Sequence, residues 1–236
     1  MDKPVTDYRL QSADLILTPS RLFFEHQKSQ YLDKTIQYFY CFNENYLPEL
    51  ANKFQDRKQK ILLSGANYYT NGVGYPIRNH IYGYWQKNKQ NKDSIGEYID
   101  YLSHPSYDRL LNGDKSGINY YKILASYRGA FFGFAAAPQN YVLAKIIEIL
   151  SCGCIGFFEY SPLLEKDLGL IKFKHYVPIM VDENNVPMYD RDYYLKYLLG
   201  SEGEKIANEG YKYVINKFNM KNKCDELHNI LKTKIK

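Results

Sequence analysis

Lys145-Ile146-Ile147-Glu148-Ile149-Leu150-Ser151-Cys152-Gly153, followed at once by Cys154-Ile155-Gly156-Phe157-Phe158, is the stretch on which the fold turns. Leu143, Ile146, Ile147 and Leu150 recur at helical spacing and predict one buried stripe of an amphipathic helix. Lys145 and Glu148 stand off that stripe, three residues apart, which predicts that they share an exposed face. Gly153 is the expected end of the helix, because glycine enters the left-handed region at little steric cost. The apolar run after it has the length of a buried strand. A helix feeding such a strand is the αβ step of a parallel sheet.

Upstream, residues 130–134 read as the preceding buried strand, with Arg128 and Gly129 at its junction with a short helix over 119–127. Asn140 is a natural N-cap, and the free N–H groups of Tyr141, Val142 and Leu143 then form an anion site. Residues 60–66 are an unbroken apolar run suited to a strand covered on both faces. It closes on Ser64-Gly65-Ala66, and after it come a loop with Gly72 and Gly74, and Pro76, which fits a first helical position. Ile77, Ile81, Tyr84 and Trp85 give that helix its buried stripe. Arg78 falls in its first turn, where free N–H groups, the helix dipole and a bidentate guanidinium together attract phosphate. Residues 97–102 predict an alternating strand that delivers His104 to a loop before Pro105.

Nearer the start, residues 14–17 predict a short strand stopped by Pro19, residues 22–32 a helix, 35–42 a β-rich segment and 46–59 a charged helix. Downstream, 161–169 predicts a short helix and 175–181 an edge strand, since Pro178 cannot serve a central one. Residues 190–199 predict a helix ending at Gly200, with Asp190-Arg191-Asp192 as its capping feature rather than a metal motif. Ser201-Glu202-Gly203-Glu204 reads as a capping box, and 219–234 as a last amphipathic helix. Strand and helix thus alternate at least five times, which predicts an α/β fold: a doubly wound, Rossmann-like parallel sheet. In such sheets ligands bind outside the carboxyl ends of the strands, where Gly65, His104, Arg128, Asn140 and Glu159 are expected.

Lys145, Glu148 and Gly153 ahead of a short apolar strand resemble the nucleotide-sugar segment of group 1 (GT-B type) glycosyltransferases. In that family a Glu five residues before a Gly hydrogen-bonds the ribose of the donor nucleotide, and Glu148 and Gly153 have this spacing. The resemblance implies a GT-B C-terminal, donor-binding domain over residues 46–218. It implies the tail of an N-terminal acceptor domain with its linker over 1–45, and a C-terminal helix over 219–236 that braces the first domain. The activity implied is metal-independent transfer of a sugar from a nucleotide-diphosphate donor, a co-substrate rather than a cofactor, to a hydroxyl of a glycan, lipid or protein. Arg78 and Lys145 would stabilise the leaving diphosphate and Glu148 would hold the ribose. Gly65, His104, Arg128, Asn140 and the backbone of Tyr141, Val142 and Leu143 would complete the donor contacts. Family members carry a second Glu eight residues before the first, and this chain has Asn140 there, a departure that leaves the donor sugar open. The family's catalytic base comes from the N-terminal domain, so the chain is expected to work with a separate acceptor-binding domain, in a homo-oligomer, or as a minimal enzyme. The alternative is a non-catalytic scaffold on the same fold, with 1–45 as the opening βαβ of one sheet.

Composition narrows the field further. The 236 residues are 45% hydrophobic and 24% charged, values ordinary for a globular chain able to bury one large core. No apolar run approaches the roughly 20 residues of a membrane span. The opening Met1-Asp2-Lys3-Pro4 lacks a signal-peptide core, and four cysteines have neither a disulfide-framework nor a zinc pattern, so a cytoplasmic setting is expected. The net charge of +5 is scattered, which argues against nucleic acid and suits a small phosphate-bearing ligand. The 25 tyrosines, with abundant Lys, Asn and Ile, are what an AT-rich coding genome gives, as in a large DNA virus or a low-GC organism. GxGxxG and Walker A signatures are missing, as is a Tyr-x-x-x-Lys pair in the expected helix, against nicotinamide and ATP-hydrolysing chemistry.

Overall fold

Apolar residues on consecutive positions of three short segments build a sheet that is buried on both sides. The computed structural model describes residues 11–19, 29–42, 44–50, 53–103, 117–135 and 144–234. Its central sheet has five strands: β3 (Lys58–Ser64), β6 (Ile99–Leu102), β7 (Tyr127–Phe132), β8 (Ile155–Phe158) and β9 (Val177–Pro178). They lie in the order β6-β3-β7-β8-β9, and every neighbouring pair is parallel. Two further strands, β1 (Ile16–Thr18) and β2 (Thr35–Gln37), form a separate parallel pair, and β4 (Tyr69–Thr70) with β5 (Val73–Gly74) a small hairpin.

The helices among the described residues are α1 (Pro76–Asn88), α2 (Gly117–Ala125), α3 (Ala144–Ser151), α4 (Pro162–Lys166), α5 (Arg191–Leu199), α6 (Ser201–Lys217) and α7 (Met220–Lys234). Strand alternation divides the core in two. Leu62, Ala130, Phe132 and Phe158 pack with Leu124 of α2 and Ile146 and Leu150 of α3 on one face. Ile61, Leu63, Phe131 and Phe157 pack with Ile77 and Ile81 of α1 and Tyr194 and Leu198 of α5 on the other. The predicted doubly wound sheet is therefore present. Its strand order reverses between β3, whose chain runs through α1 to β6, and β7, whose chain runs through α3 to β8.

Local chemistry explains the boundaries. Gly153 has φ +66°, with Gly153 N–H bonding Leu150 O at 2.9 Å and Cys154 N–H bonding Ile149 O at 3.3 Å, a Schellman ending for α3. Arg57 donates to Cys152 O and Gly153 O, both at 2.8 Å, and places a cation where the helix dipole is negative. Asp190 accepts from Tyr193 N–H at 3.0 Å, the capping role expected of it, and Pro178 does sit on the edge strand.

Several expectations need correction. Residues 46–59 are not one helix: they form 3₁₀ turns at Glu44–Leu50 and Phe54–Asp56 before β3 begins at Lys58. Residues 29–34 are also a 3₁₀ turn, and the rest of the helix expected over 22–32 lies outside the described residues. Ser201 is not an N-cap: α5 runs into α6 with extended Gly200 between them, and Gly200 makes no side-chain cap. Lys145 and Glu148 are half-buried rather than exposed, because α3 buries Ile149 and Ser151 as well as the expected stripe. At the other end of the chain, α7 is tied to the β2 segment. Phe42 N–H bonds Phe218 O at 3.2 Å, and Met220 N–H bonds Glu44 Oε2 at 2.9 Å. No helix among the described residues is long and apolar enough to cross a membrane.

Candidate functional site

In a doubly wound sheet the crevice at the carboxyl ends of the strands, where the strand order reverses, is open to a ligand. Here that point is flanked by Ser64 and Gly65 at the end of β3 and by Gly133 and Phe134 just past β7. Gly65 has φ +96°, a conformation that a side chain strains. A Cβ added to it would stand 2.8 Å from Arg78 Nη1 and 3.7 Å from Lys145 Nζ, so both cations converge on the space that this glycine leaves clear.

Arg78 is the third residue of α1, after Pro76 and Ile77, and is only 3% exposed. Its guanidinium lies 3.3 Å from the centre of the Tyr75 ring. Burial lowers its pKa, opposed by the nearby Tyr75 phenol, yet an arginine stays charged. Its Nε and Nη2 are buried without a hydrogen-bond partner among the described residues, which is unusual for a group so costly to desolvate. Lys145 donates to Tyr120 Oη at 2.6 Å and Ser64 Oγ at 3.3 Å. Burial brings its pKa down to about 8, with Glu148 pulling it up and Arg78 pushing it further down. One turn along α3, burial raises the Glu148 carboxyl and Lys145 opposes the shift.

The structure thus brings Gly65, Arg78, Lys145 and Glu148 together. Arg128 it does not. That residue was expected at a carboxyl end, but β7 starts at Tyr127, so Arg128 lies at the amino end of the sheet. There it donates to Leu198 O at 3.4 Å and Gln55 O at 3.2 Å, a structural tie on the far side from Gly65. His104, Asn140, Tyr141, Val142 and Leu143 lie outside the described residues.

Two residues join the site without having been assigned a role from sequence. Tyr120 enters from α2, as above. Glu159 follows β8, and its Oε2 accepts from Phe134 N–H at 2.6 Å. Burial pushes its carboxyl up to about 7, against the pull of that N–H and of Arg78. A Cβ on Gly133 would stand 2.9 Å from Ile77 and 3.3 Å from Glu159 Oε2, so this glycine lets β7, α1 and Glu159 meet. The hairpin β4–β5 was read only as a glycine-containing loop, though Asn71-Gly72 is a strong signal for a tight primed turn; both residues have positive φ. A surface depression of about 570 Å³ beside Lys174, His175 and Lys217 is lined by none of these groups.

No protein-family model matches the sequence, and no curated protein matches it. Solved structures do. A glycosyltransferase from Rickettsia africae matches at 13% identity and a TM-score of 0.56, over 94% of this chain and 64% of that one. Anabaena HepE in complex with UDP and glucose matches at 11% and 0.59, over 96% of this chain and 65% of that one. The pneumococcal O-GlcNAc transferase GtfA in complex with UDP and GlcNAc matches at 12% and 0.53, over 97% and 47%. The chain spans less than two thirds of the length of each. These structures are glycosyltransferases of the GT-B type, and the likeness shows that this chain has their Rossmann-like fold.

Proposed function

We propose that this chain is the donor-binding part of a glycosyltransferase, gripping the diphosphate and ribose of a nucleotide sugar so that the sugar passes to an acceptor hydroxyl. The single observation that carries the reading is the meeting of Arg78 and Lys145 over Gly65 at the reversal point of the sheet. Two proteins of the same fold hold UDP with a sugar, which supports a nucleotide-sugar ligand here.

Transfer breaks the bond between the anomeric carbon and the diphosphate oxygen, and negative charge grows on the departing diphosphate. Arg78 offers Nε and Nη2, and Lys145 offers a remaining N–H. Both are held in a half-dry site where their field acts with little screening. These two side chains supply the positive charge that a metal-independent transfer needs. Glu148, one turn along α3, accepts from the ribose hydroxyls. The acceptor-binding surface and the base that takes the acceptor's proton are assigned to a further domain, a partner or a second copy. His104, Asn140 and the N–H groups of Tyr141, Val142 and Leu143 are proposed as the remaining donor contacts.

A thermal-shift panel of UDP, GDP, ADP and CMP tests this. A nucleoside diphosphate at about 100 times its Kd stabilises the protein by about 2.7 kcal/mol. The expected result is a shift with one nucleoside diphosphate that the Arg78→Ala, Glu148→Ala double variant lacks. Equal shifts in both proteins would reject the assigned site.

A further inference from the structure

Lys145 has a long, flexible side chain, and holding its ammonium in one place needs partners. Both of its hydrogen bonds among the described residues go to neutral hydroxyls, Tyr120 Oη at 2.6 Å and Ser64 Oγ at 3.3 Å. Those hydroxyls are themselves joined at 2.8 Å, closing a three-membered ring of polar atoms at the end of β3. The Tyr120 ring adds its face, 4.5 Å from Nζ. An ammonium has three donors, so two hydroxyls leave one N–H for an incoming acceptor. With neutral hydrogen-bond partners, the positive charge is opposed only by the Glu148 carboxylate one turn along α3.

We infer that Tyr120, assisted by Ser64, is a positioning residue that fixes the Lys145 ammonium beside Gly65 and keeps it protonated for a diphosphate. This rests on the donor-site reading above. The charged and titratable groups facing Lys145 among the described residues are Glu148 on its own helix, Arg78 from α1 and Tyr120 from α2. Burial holds the Tyr120 phenol well above its ordinary pKa, so the hydroxyl stays neutral throughout the range in which Lys145 titrates. The hydroxyl accepts from the ammonium and can donate to the neutral amine, but the bond to the charged form is charge-assisted and the stronger of the two, so removing it lowers the amine's proton affinity.

Two measurements on the full chain test the idea. Competitive acetylation followed by mass spectrometry reads the Lys145 pKa without any ligand. Wild type is expected to titrate near 8, Tyr120→Phe about one pH unit lower, a tenfold loss of proton affinity, and Ser64→Ala lower by less. Calorimetry with inorganic pyrophosphate reads the site itself: at pH 8, where about half of the wild-type amine and about a tenth of the variant's is protonated, Tyr120→Phe should bind several-fold more weakly than wild type. Its alkaline loss of binding should also begin at lower pH. An unchanged Lys145 pKa in both variants overturns the positioning role whatever the site binds. A lowered pKa in a protein whose wild type ignores pyrophosphate would sustain the positioning of the amine and reject the donor site. If Tyr120→Phe does not fold, Ser64→Ala decides, with the same outcomes.

Discussion

Replacing Gly65 by alanine should injure both the fold and the ligand site, by separable amounts. The backbone there has φ +96°, and a β-carbon in such a conformation costs about 1–3 kcal/mol. For a chain of 236 residues that corresponds to a fall in Tm of roughly 2–12 °C. The second effect is local. The new methyl group would stand 2.8 Å from Arg78 Nη1, nearer than van der Waals contact permits, so the guanidinium must move. It has little room, being 3% exposed and stacked on Tyr75. Losing a charge-assisted contact costs about 1.5–3 kcal/mol, or roughly ten- to a hundredfold in Kd. Urea denaturation measures the first term, and calorimetry with the nucleoside diphosphate that stabilises wild type measures the second. A double-mutant cycle with Arg78→Ala separates them. If Gly65→Ala acts by displacing Arg78, it should change binding less than about twofold once Arg78 is gone. Full additivity of the two binding losses, or wild-type affinity in Gly65→Ala, would refute the reasoning.

Glu159→Gln should flatten part of the pH dependence of stability. The folded carboxyl titrates near 7, above the ordinary 4.5, so the folded protein holds this proton more tightly than the unfolded chain does. Wild type should therefore lose stability relative to the variant as pH rises from about 4.5 to 7, by on the order of 1–3 kcal/mol, and no further above 7. Urea midpoints at pH 4.5, 6 and 7.5 check this, and parallel profiles for the two proteins would contradict it. Arg128→Met should lower stability by about 1–3 kcal/mol through its lost ties to Leu198 O and Gln55 O, while nucleotide affinity stays within about twofold. A large loss of affinity would return Arg128 to the donor site.

How far the sequence could be read depended on whether each feature is local. The α3 stripe, Gly153 as its end and the apolar strands on either side were all legible, because side-chain periodicity and left-handed glycine are properties of a few adjacent residues. Arg78 was legible for the same reason: Pro76 marks the first turn of α1, and that turn in a βαβ unit faces the strand ends. Arg128 was misplaced by a shift of about three residues in the start of β7. Strand boundaries depend on which neighbours offer hydrogen bonds, and that shift moved the residue from one end of the sheet to the other. The exposed face expected for Lys145 and Glu148 failed because a helix on a sheet also meets the loops and helices beside it.

Sequence alone determined that strands and helices alternate in a doubly wound order, and that a basic residue opens one helix while Lys145 and Glu148 share a turn of another. Only the tertiary structure decided that Tyr120, 25 residues before Lys145, and Ser64, 81 residues before it, hold the same ammonium, and that Glu159 reaches back to Phe134 N–H. Periodicity speaks for neighbours along a chain. Which distant side chains meet is settled by strand order, since the parallel sheet turns every carboxyl end, and the helix that follows it, toward one rim.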